Sequence, residues 1–207
     1  MGFYASHVFP RIMDWTLRRP RMQRERQEAL AEARGEVLEI GFGTGLNLRH
    51  YPPGVTRLTA LDVADLLPAR TAERVAAAPF PVERVRLTAE RLPFPDGRFD
   101  CIVSTWTLCS IPDALAALRE VRRVLRPAGR LVFLEHGRSD DPRVARWQDR
   151  LNPIQRRMGC GCNLNRPIDA LIQDAGFAIN RLDRFVIAGE PSLMASMYRG
   201  TASPSAS

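Results

Sequence analysis

The feature that most constrains the fold is a regular alternation of short apolar runs with longer amphipathic segments. Segments with a helical spacing of apolar residues lie at 64–78 and 112–125. This alternation is typical of a mostly parallel sheet covered by helices on both faces. With 207 residues, the chain is long enough to bury the core of one such domain. The apolar runs that predict the first five strands are 36–40, 57–63, 82–88, 99–105 and 130–135.

Further elements are predicted on either side of this region. A helical stretch at 11–34, interrupted at Pro20, forms most of a predicted N-terminal helical cap, 1–34. The segment 137–165 is predicted to be irregular or weakly helical and to fold over the site as a lid. Because no domain linker is visible, residues 1–200 are expected to form a single domain. The remaining predictions are a helix at 166–176, strands at 177–186 and 192–200, and a disordered tail at 201–207.

The distribution of charge narrows the class of function. The net charge is +7, and every basic residue except histidine is an arginine. The excess lies in residues 10–34, with seven arginines against four acids, and in 137–166, with seven against three. These segments are either solvated surfaces or a positive field near a site for anions or acidic lipid. No stacking aromatic residues cluster with the arginines, so a nucleic-acid-binding module is the less favoured alternative and no nucleic-acid partner is expected.

The same sequence bears on location in the cell. No run approaches the roughly 20 apolar residues that span a bilayer, and the N-terminus lacks the features of a secretory signal. The four cysteines show no disulfide framework. We therefore expect a cytoplasmic, reduced protein, with peripheral membrane contact through the arginine-rich segments as a further expectation.

A glycine-rich stretch, "EIGFGTG", follows the first predicted strand. Gly41, Gly43 and Gly45 lack a Cβ, so the backbone can turn sharply and a ligand can approach it closely. Ligands of open α/β sheets bind at the carboxyl ends of the strands, and Asp62 at the end of the second strand can accept both hydroxyls of a ribose. The G-x-G-x-G spacing and the neighbouring Glu39 favour a cofactor with an amino group or positive charge over a dinucleotide.

Together with "LDV", "AERLPFPDGRFD" and "ALREVRRVLRPAGRLVFLEHG", this stretch resembles the class I S-adenosylmethionine-dependent methyltransferases over about residues 35–200. The resemblance implies a Rossmann-like, seven-stranded sheet with an antiparallel last strand, and S-adenosylmethionine as the cofactor. It also implies that the three glycines lie along the methionine part, Asp62 on the ribose, and Ala89 and Glu90 beside the adenine. The remaining residues predicted to contact the cofactor are Asn47, Val63 and Ser104.

Three shorter stretches, "STWTLCSIPD", "LEHGRS" and "GCGCNLNR", carry a narrower resemblance. They are similar to the methyltransferase-like 7 group of thiol methyltransferases and its bacterial relatives, which implies a small thiol or hydrogen sulfide as acceptor. Some of the bacterial relatives are known as phosphatidylethanolamine N-methyltransferases, so methylation of that lipid, or N- or O-methylation of another small molecule, is the alternative. A reactive thiolate is stabilised by positive charge, which the two arginine-rich segments could supply. An amine acceptor is usually oriented by acidic side chains, and the segments predicted to form the pocket contain few acids.

The candidate catalytic residues lie mainly around the end of the fifth strand. His136 is predicted to orient or deprotonate the acceptor, the alternative being a strand-end residue. Cys162 and Asn163 are predicted to line the substrate site. The alternative for Cys162 is a purely structural role as a small buried residue. The Cys160-x-Cys162 pair is a weak signal for metal or redox chemistry, so no metal site is predicted. The remaining candidates for substrate contact are Trp106 and Leu108 after the fourth strand, and Tyr4 and His7 in the N-terminal segment.

Overall fold

The apolar runs form the strands of one sheet. In order across the sheet these are β3-β2-β1-β4-β5-β7-β6, with β7 antiparallel to both of its neighbours. The computed structural model, which describes residues 3–205, thus confirms the predicted seven-stranded, mostly parallel sheet. The strands are β1 Gly35–Ile40, β2 Val55–Asp62, β3 Val82–Arg86, β4 Phe99–Thr105, β5 Leu125–His136, β6 Phe177–Val186 and β7 Ser196–Pro204.

Helices precede and connect the strands. Several of them have a proline in the first turn. A backbone N–H at this position has no acceptor within the helix, so the N–H that proline lacks costs no hydrogen bond. Asp113 caps the helix that begins at Ala114, because its side chain accepts a hydrogen bond from the N–H of Ala116 at 2.9 Å. A π-helical turn, Tyr4–Val8, leads into α1, and a 3₁₀ turn occupies Leu48–His50. The α-helices are α1 Phe9–Leu17, α2 Pro20–Leu30, α3 Pro68–Ala76, α4 Ala114–Val124, α5 Pro142–Met158 and α6 Ile168–Asp174.

The core lies on both faces of the sheet because successive strand residues point to opposite sides. In β4, Ile102 packs into one apolar cluster, while Val103 packs into the other. In β5, Phe133 and Val132 are divided in the same way. The central strands are therefore buried on both faces, as parallel strands usually are.

The prediction of an irregular or weakly helical segment at 137–165 is wrong for most of its length. Helix α5 occupies 17 of these residues, Pro142–Met158. Its large apolar residues Trp147, Ile154 and Met158 are exposed, and most of its other positions are polar. Val144, Trp147, Leu151, Ile154 and Met158 recur at helical spacing, so the sequence did carry the helical signal, which the many arginines and the internal Pro153 obscured.

The predicted disordered tail at 201–207 is also wrong where the structure describes it. Residues Thr201–Pro204 complete β7, and Ala202 is fully buried between Leu131 and Ile179. Just before this segment, Gly200 is also closely packed, since an added Cβ there would lie 2.0 Å from the carbonyl oxygen of Arg181 in β6. The small residues Thr201–Pro204 thus belong to a strand that pairs with two others. Residues 206–207 lie outside the described part of the chain.

Among residues 3–205, none of the helices combines the length and the apolar character needed to cross a bilayer.

Candidate functional site

The carboxyl ends of β1, β2, β4 and β5 meet at one edge of the sheet. The strand order reverses between β1 and β4, which both pair in parallel but lead to opposite sides of the sheet. Such a switch point opens a crevice in which α/β proteins bind their ligands. Most of the residues predicted from the sequence lie at or next to this edge.

The glycine loop follows β1 directly and is held against β2. The N–H groups of Gly41 and Phe42 donate to the carbonyl of Leu61, and the N–H of Gly43 donates to Oδ2 of Asp62 at 2.7 Å. Gly41 has a φ of 70°, and a Cβ there would lie 2.0 Å from the Thr107 hydroxyl. At Gly43, with a φ of 59°, a Cβ would meet no atom closer than 3.9 Å. The loop therefore leaves open space next to Gly43, where the cofactor is predicted to lie.

Asp62 links the loop to the end of β2. Its second carboxylate oxygen, Oδ1, accepts from the N–H of Ala64 at 3.1 Å. Burial raises the pKa of this carboxyl, although the backbone donors work in the opposite direction. The next residue, Val63, is 53% exposed and presents an apolar side chain at the same edge.

The other predicted cofactor residues lie at the ends of β3 and β4. Ala89 is buried, and Glu90 accepts hydrogen bonds from the Thr88 hydroxyl at 2.6 Å and the N–H of Asp113 at 2.8 Å. Ser104 is fully buried and donates to Glu135 at 2.6 Å. Contact of these residues with the cofactor stays a prediction.

A buried polar network supports the loop from below. Glu39 accepts from the amide of Asn47 at 2.9 Å and from the hydroxyl of Tyr51 at 2.7 Å. Arg26 of α2 donates to Asn47 at 2.6 Å and to Thr105 at 3.1 Å. Burial raises the pKa of Glu39 to about 7 and lowers that of Arg26 to about 10. Glu39 and Asn47 thus use their polar atoms within the network that fixes the segment after β1.

We expect the carboxyl of Glu39 to make the protein less stable as the pH rises from about 4.5 to about 7. Its pKa is 4.5 in the free group and about 7 in the folded chain, so over this range the folded protein keeps a proton that the unfolded chain loses. The free energy of unfolding should be measured by urea denaturation across this range for the wild type and Glu39→Gln. The wild type should lose stability relative to the variant up to about pH 7 and then level off. A difference that is constant with pH would contradict the assignment.

The N-terminal cap is fastened to the glycine loop by one buried carboxylate. Asp14 of α1 accepts from the hydroxyl of Thr44 at 2.6 Å and forms ion pairs with Arg74 at 2.8 Å and Arg70 at 3.0 Å. Burial opposes the charged form, but the bonds from Arg74 and Thr44 prevail and lower the pKa of Asp14. Any movement of the cap away from the loop must therefore break this cluster.

His136 ends β5 inside a cluster of sulfur atoms. Its Nε2 lies 2.9 Å from Sγ of Cys162, which lies 3.6 Å from Sγ of Cys109. The hydrogen bond with Cys109 and burial raise the pKa of the Cys162 thiol well above its usual range. Burial disfavours the charged form of His136, but the contacts with Cys162 and Glu135 outweigh it and raise the pKa of the imidazole.

Asn163 holds the two cysteine-bearing segments together. Its backbone N–H and its side-chain amide both donate to the carbonyl of Cys109, at 2.9 Å and 2.8 Å. Of the candidates predicted in this region, His136, Cys162 and Asn163 therefore form one connected group. Cys160 is exposed and lies outside it.

Tyr4 and His7 lie on the exposed N-terminal helical turn. The Tyr4 hydroxyl donates to the carbonyl of Met158 at 3.2 Å, at the end of α5. His7 contacts its own turn: its ring stacks on Phe3 with centroids 4.8 Å apart, and its Nδ1 lies 2.8 Å from the Ser6 hydroxyl. Their contact with substrate stays a prediction.

Three residues of this region were not recognised from the sequence. Arg26 looks like one of many surface arginines, yet its guanidinium is buried 4.5 Å from the ring centroid of Trp106. Cys109 and Arg166 lie in the stretches "STWTLCSIPD" and "GCGCNLNR", but neither was assigned a role, because the contact between the two stretches joins residues distant in the sequence. Trp106 itself has a φ of 51°, which is strained for an aromatic residue and is common at functional sites, but backbone strain has no sequence signature outside glycine.

Comparison with known proteins agrees with this architecture. A family model described as a methyltransferase domain matches residues 38–133. Human thiol S-methyltransferase TMT1B is 34% identical over 76% of this chain, which spans 66% of that protein's length, just under two thirds. The phosphatidylethanolamine N-methyltransferase of Cereibacter sphaeroides is 33% identical over 66% of this chain and 68% of its own.

A solved structure shows the same fold. The 1,6-didemethyltoxoflavin-N1-methyltransferase of Burkholderia thailandensis, which holds S-adenosylhomocysteine, aligns with a TM-score of 0.70 over 98% of this chain and 86% of that one, at 19% identity. The chain covers 68% of the bacterial methyltransferase at 33% identity, and the family model matches the strands that build the glycine loop. These two findings show that this chain belongs to the class I S-adenosylmethionine-dependent methyltransferases.

Proposed function

We propose that the protein transfers a methyl group from S-adenosylmethionine to the sulfur of a small thiol or of hydrogen sulfide. The observation that carries this proposal is the imidazole of His136, which is 4% exposed at the end of β5. Its Nδ1 has no hydrogen-bond partner among residues 3–205. Buried polar atoms are nearly always paired, so this nitrogen is available to an acceptor. The name of the human relative, a thiol S-methyltransferase, supports the same acceptor.

The residues of the chain have a limited chemical task. The cofactor supplies a methyl group already activated by a positively charged sulfur, so the protein has to align the acceptor, exclude water and remove a proton. In the proposed reaction His136 takes the proton of the acceptor S–H at Nδ1. The electron pair left on the acceptor sulfur then forms the new bond to the methyl carbon as the carbon–sulfonium bond breaks.

A positive side chain lies beside the sulfur cluster. Arg166 donates to the carbonyl oxygens of Leu108 and Pro112. Within the described part of the chain, no carboxylate oxygen lies within 4 Å of its guanidinium nitrogens. Its charge is therefore not neutralised by a direct ion pair and would favour an acceptor in its thiolate form.

The proposal predicts how turnover depends on pH. Purified protein with labelled cofactor should methylate small thiols or sulfide, with a rate that rises toward the pKa of the acceptor, because the thiolate is the reacting form. Two thiols of different pKa provide the control, since the midpoint of the pH profile should move with the acceptor. The panel should also hold phenols and phosphatidylethanolamine vesicles. Methylation of the lipid amine alone, or of phenols alone, would overturn the thiol proposal.

A surface feature favours phosphatidylethanolamine as the second candidate. Val8, Ile12 and Trp15 are exposed at helical spacing along the N-terminal helix, and Trp147 and Met158 are exposed on α5. The bond from the Tyr4 hydroxyl to the carbonyl of Met158 brings the N-terminal turn to the end of α5. Apolar side chains among arginines are typical of helices that lie on anionic membranes. Under this alternative, the protein would act at a lipid surface, as the bacterial relative's name suggests for that protein.

A further inference from the structure

Three soft metal ligands meet in the interior from three separate parts of the chain. Cys109 comes from the loop after β4, His136 from the end of β5, and Cys162 from the turn after α5. Their side chains are 1%, 4% and 8% exposed. The three ligand atoms, two Sγ and one imidazole nitrogen, all lie within 4.8 Å of one another.

The distances are close to those of a tetrahedral zinc site. Zinc binds sulfur at about 2.3 Å and imidazole nitrogen at about 2.0–2.1 Å, which places two sulfur ligands about 3.7 Å apart and a sulfur and a nitrogen about 3.6 Å apart. The two Sγ atoms of Cys109 and Cys162 are 3.6 Å apart. The nitrogen of His136 lies 2.9 Å from Cys162, so a small side-chain rotation would complete the geometry.

The backbone around the cluster is fixed by hydrogen bonds that the sulfur atoms do not make. Asn163 donates twice to the carbonyl of Cys109, and the Cys162 N–H donates to the carbonyl of Gly159 at 3.0 Å. Asn152 of α5 accepts from the N–H of Leu164 at 2.8 Å and donates to Asn163 at 3.2 Å. Ligands held in this way lose little freedom when a metal binds, which favours affinity.

The charges also balance. Two thiolates and one divalent cation sum to zero, and the neutral imidazole adds no charge, so the complex avoids burying a net charge. Thiolate and imidazole ligands select zinc and similar thiophilic metals over magnesium or calcium. We propose that Cys109, His136 and Cys162 bind one thiophilic divalent metal ion, best matched by zinc, with a fourth coordination position left open.

The site was not predicted from the sequence because the obvious pair was Cys160 and Cys162, which are one residue apart. Cys160 points to solvent, whereas the partner of Cys162 lies 53 positions earlier. Metal binding does not depend on the acceptor being a thiol. If the acceptor is a thiol, coordination at the open position would deprotonate it. His136, with Nε2 on the metal and a proton on Nδ1, would then no longer act as the base.

The test uses cobalt as a spectroscopic probe for zinc. Reduced, metal-free protein should bind one equivalent of Co²⁺ with a sulfur-to-cobalt charge-transfer band, and Zn²⁺ should displace it. Cys109→Ser and Cys162→Ser should each lose about 100-fold or more in affinity, because each removes a thiolate ligand. Cys160→Ser is the matched control and should bind as the wild type does. An absent band in the folded wild type, or equal loss in the Cys160→Ser control, overturns the proposal.

A second measurement needs no variant. Zinc should protect Cys109 and Cys162 of the wild type from alkylation, read by mass spectrometry of the peptides, while exposed Cys160 stays reactive. Equal alkylation of Cys109 and Cys162 with and without zinc would overturn the site. So would the finding that these two cysteines form a disulfide while the reduced protein binds no metal. None of these readouts uses turnover, so failure of the metal site and failure of the proposed thiol chemistry are distinguishable.

Discussion

Replacing His136 with alanine is expected to lower kcat by about 100-fold or more, the usual contribution of acid–base assistance. Cofactor affinity should change little, because the contacts predicted for the cofactor lie at the ends of β1 to β4. The reason for the large effect is the position of the imidazole, buried at the end of β5 with Nδ1 free within residues 3–205. The measurement is kcat on the best acceptor, with calorimetry for cofactor affinity and a thermal melt to confirm folding.

Two further variants separate the roles that His136 can play. His136→Gln keeps a hydrogen-bonding group but cannot take a proton, so it should be as impaired as His136→Ala if the imidazole is the base. In that case Cys162→Ser should lower kcat less than His136→Ala does, because a residue that only lines the pocket contributes shape and takes no proton. If a bound metal ion activates the acceptor, Cys162→Ser and a chelator should lower kcat about as much as His136→Ala does. A folded His136→Ala enzyme with near-normal kcat would exclude both roles.

Replacing Asp62 with alanine is expected to weaken S-adenosylmethionine binding about tenfold or more, since one charge-assisted hydrogen bond contributes about 1.5–3 kcal/mol. Two effects act in the same direction. The carboxylate proposed to contact the ribose is lost, and so is the acceptor that holds the Gly43 N–H at 2.7 Å. Isothermal titration calorimetry with the cofactor measures the affinity directly.

Asp65→Ala is the matched control for this experiment. It removes the same charge three residues further on, where Asp65 is exposed and forms an ion pair with Arg84. Its cofactor affinity should equal that of the wild type. If Asp62→Ala also binds normally, Asp62 does not belong to the site, whereas equal loss in both variants would point to a general effect of charge.

The parts of the molecule that were predictable follow local rules. The strand Phe99–Thr105 has the bounds predicted from its apolar run. The proximity of Gly43 and Asp62 follows from chain geometry, because parallel strands bring their carboxyl ends to one edge.

The parts that were missed depend on contacts between distant segments. Nothing near Cys109 indicates that two bonds from Asn163 bring it to Cys162. Nothing near Arg26 distinguishes it from exposed arginines, because its burial depends on Asn47 and Thr105 from other elements. Sequence patterns report the periodicity of one segment, and neither a shared interior site nor a small-residue strand between two partners leaves such a pattern.

The position of β7 between β5 and β6 has a consequence for how the protein is made. In the sheet order, β6 reaches the rest of the sheet only through β7, although β6 is synthesised first. While the ribosome is still adding residues 196–204, β6 has no strand to pair with, and β5 presents an open edge beside Glu135 and His136. Such late, long-range pairing slows folding. A chain stalled before residue 196 should therefore carry the glycine loop without a finished catalytic edge, and would be a substrate for chaperones rather than an active fragment.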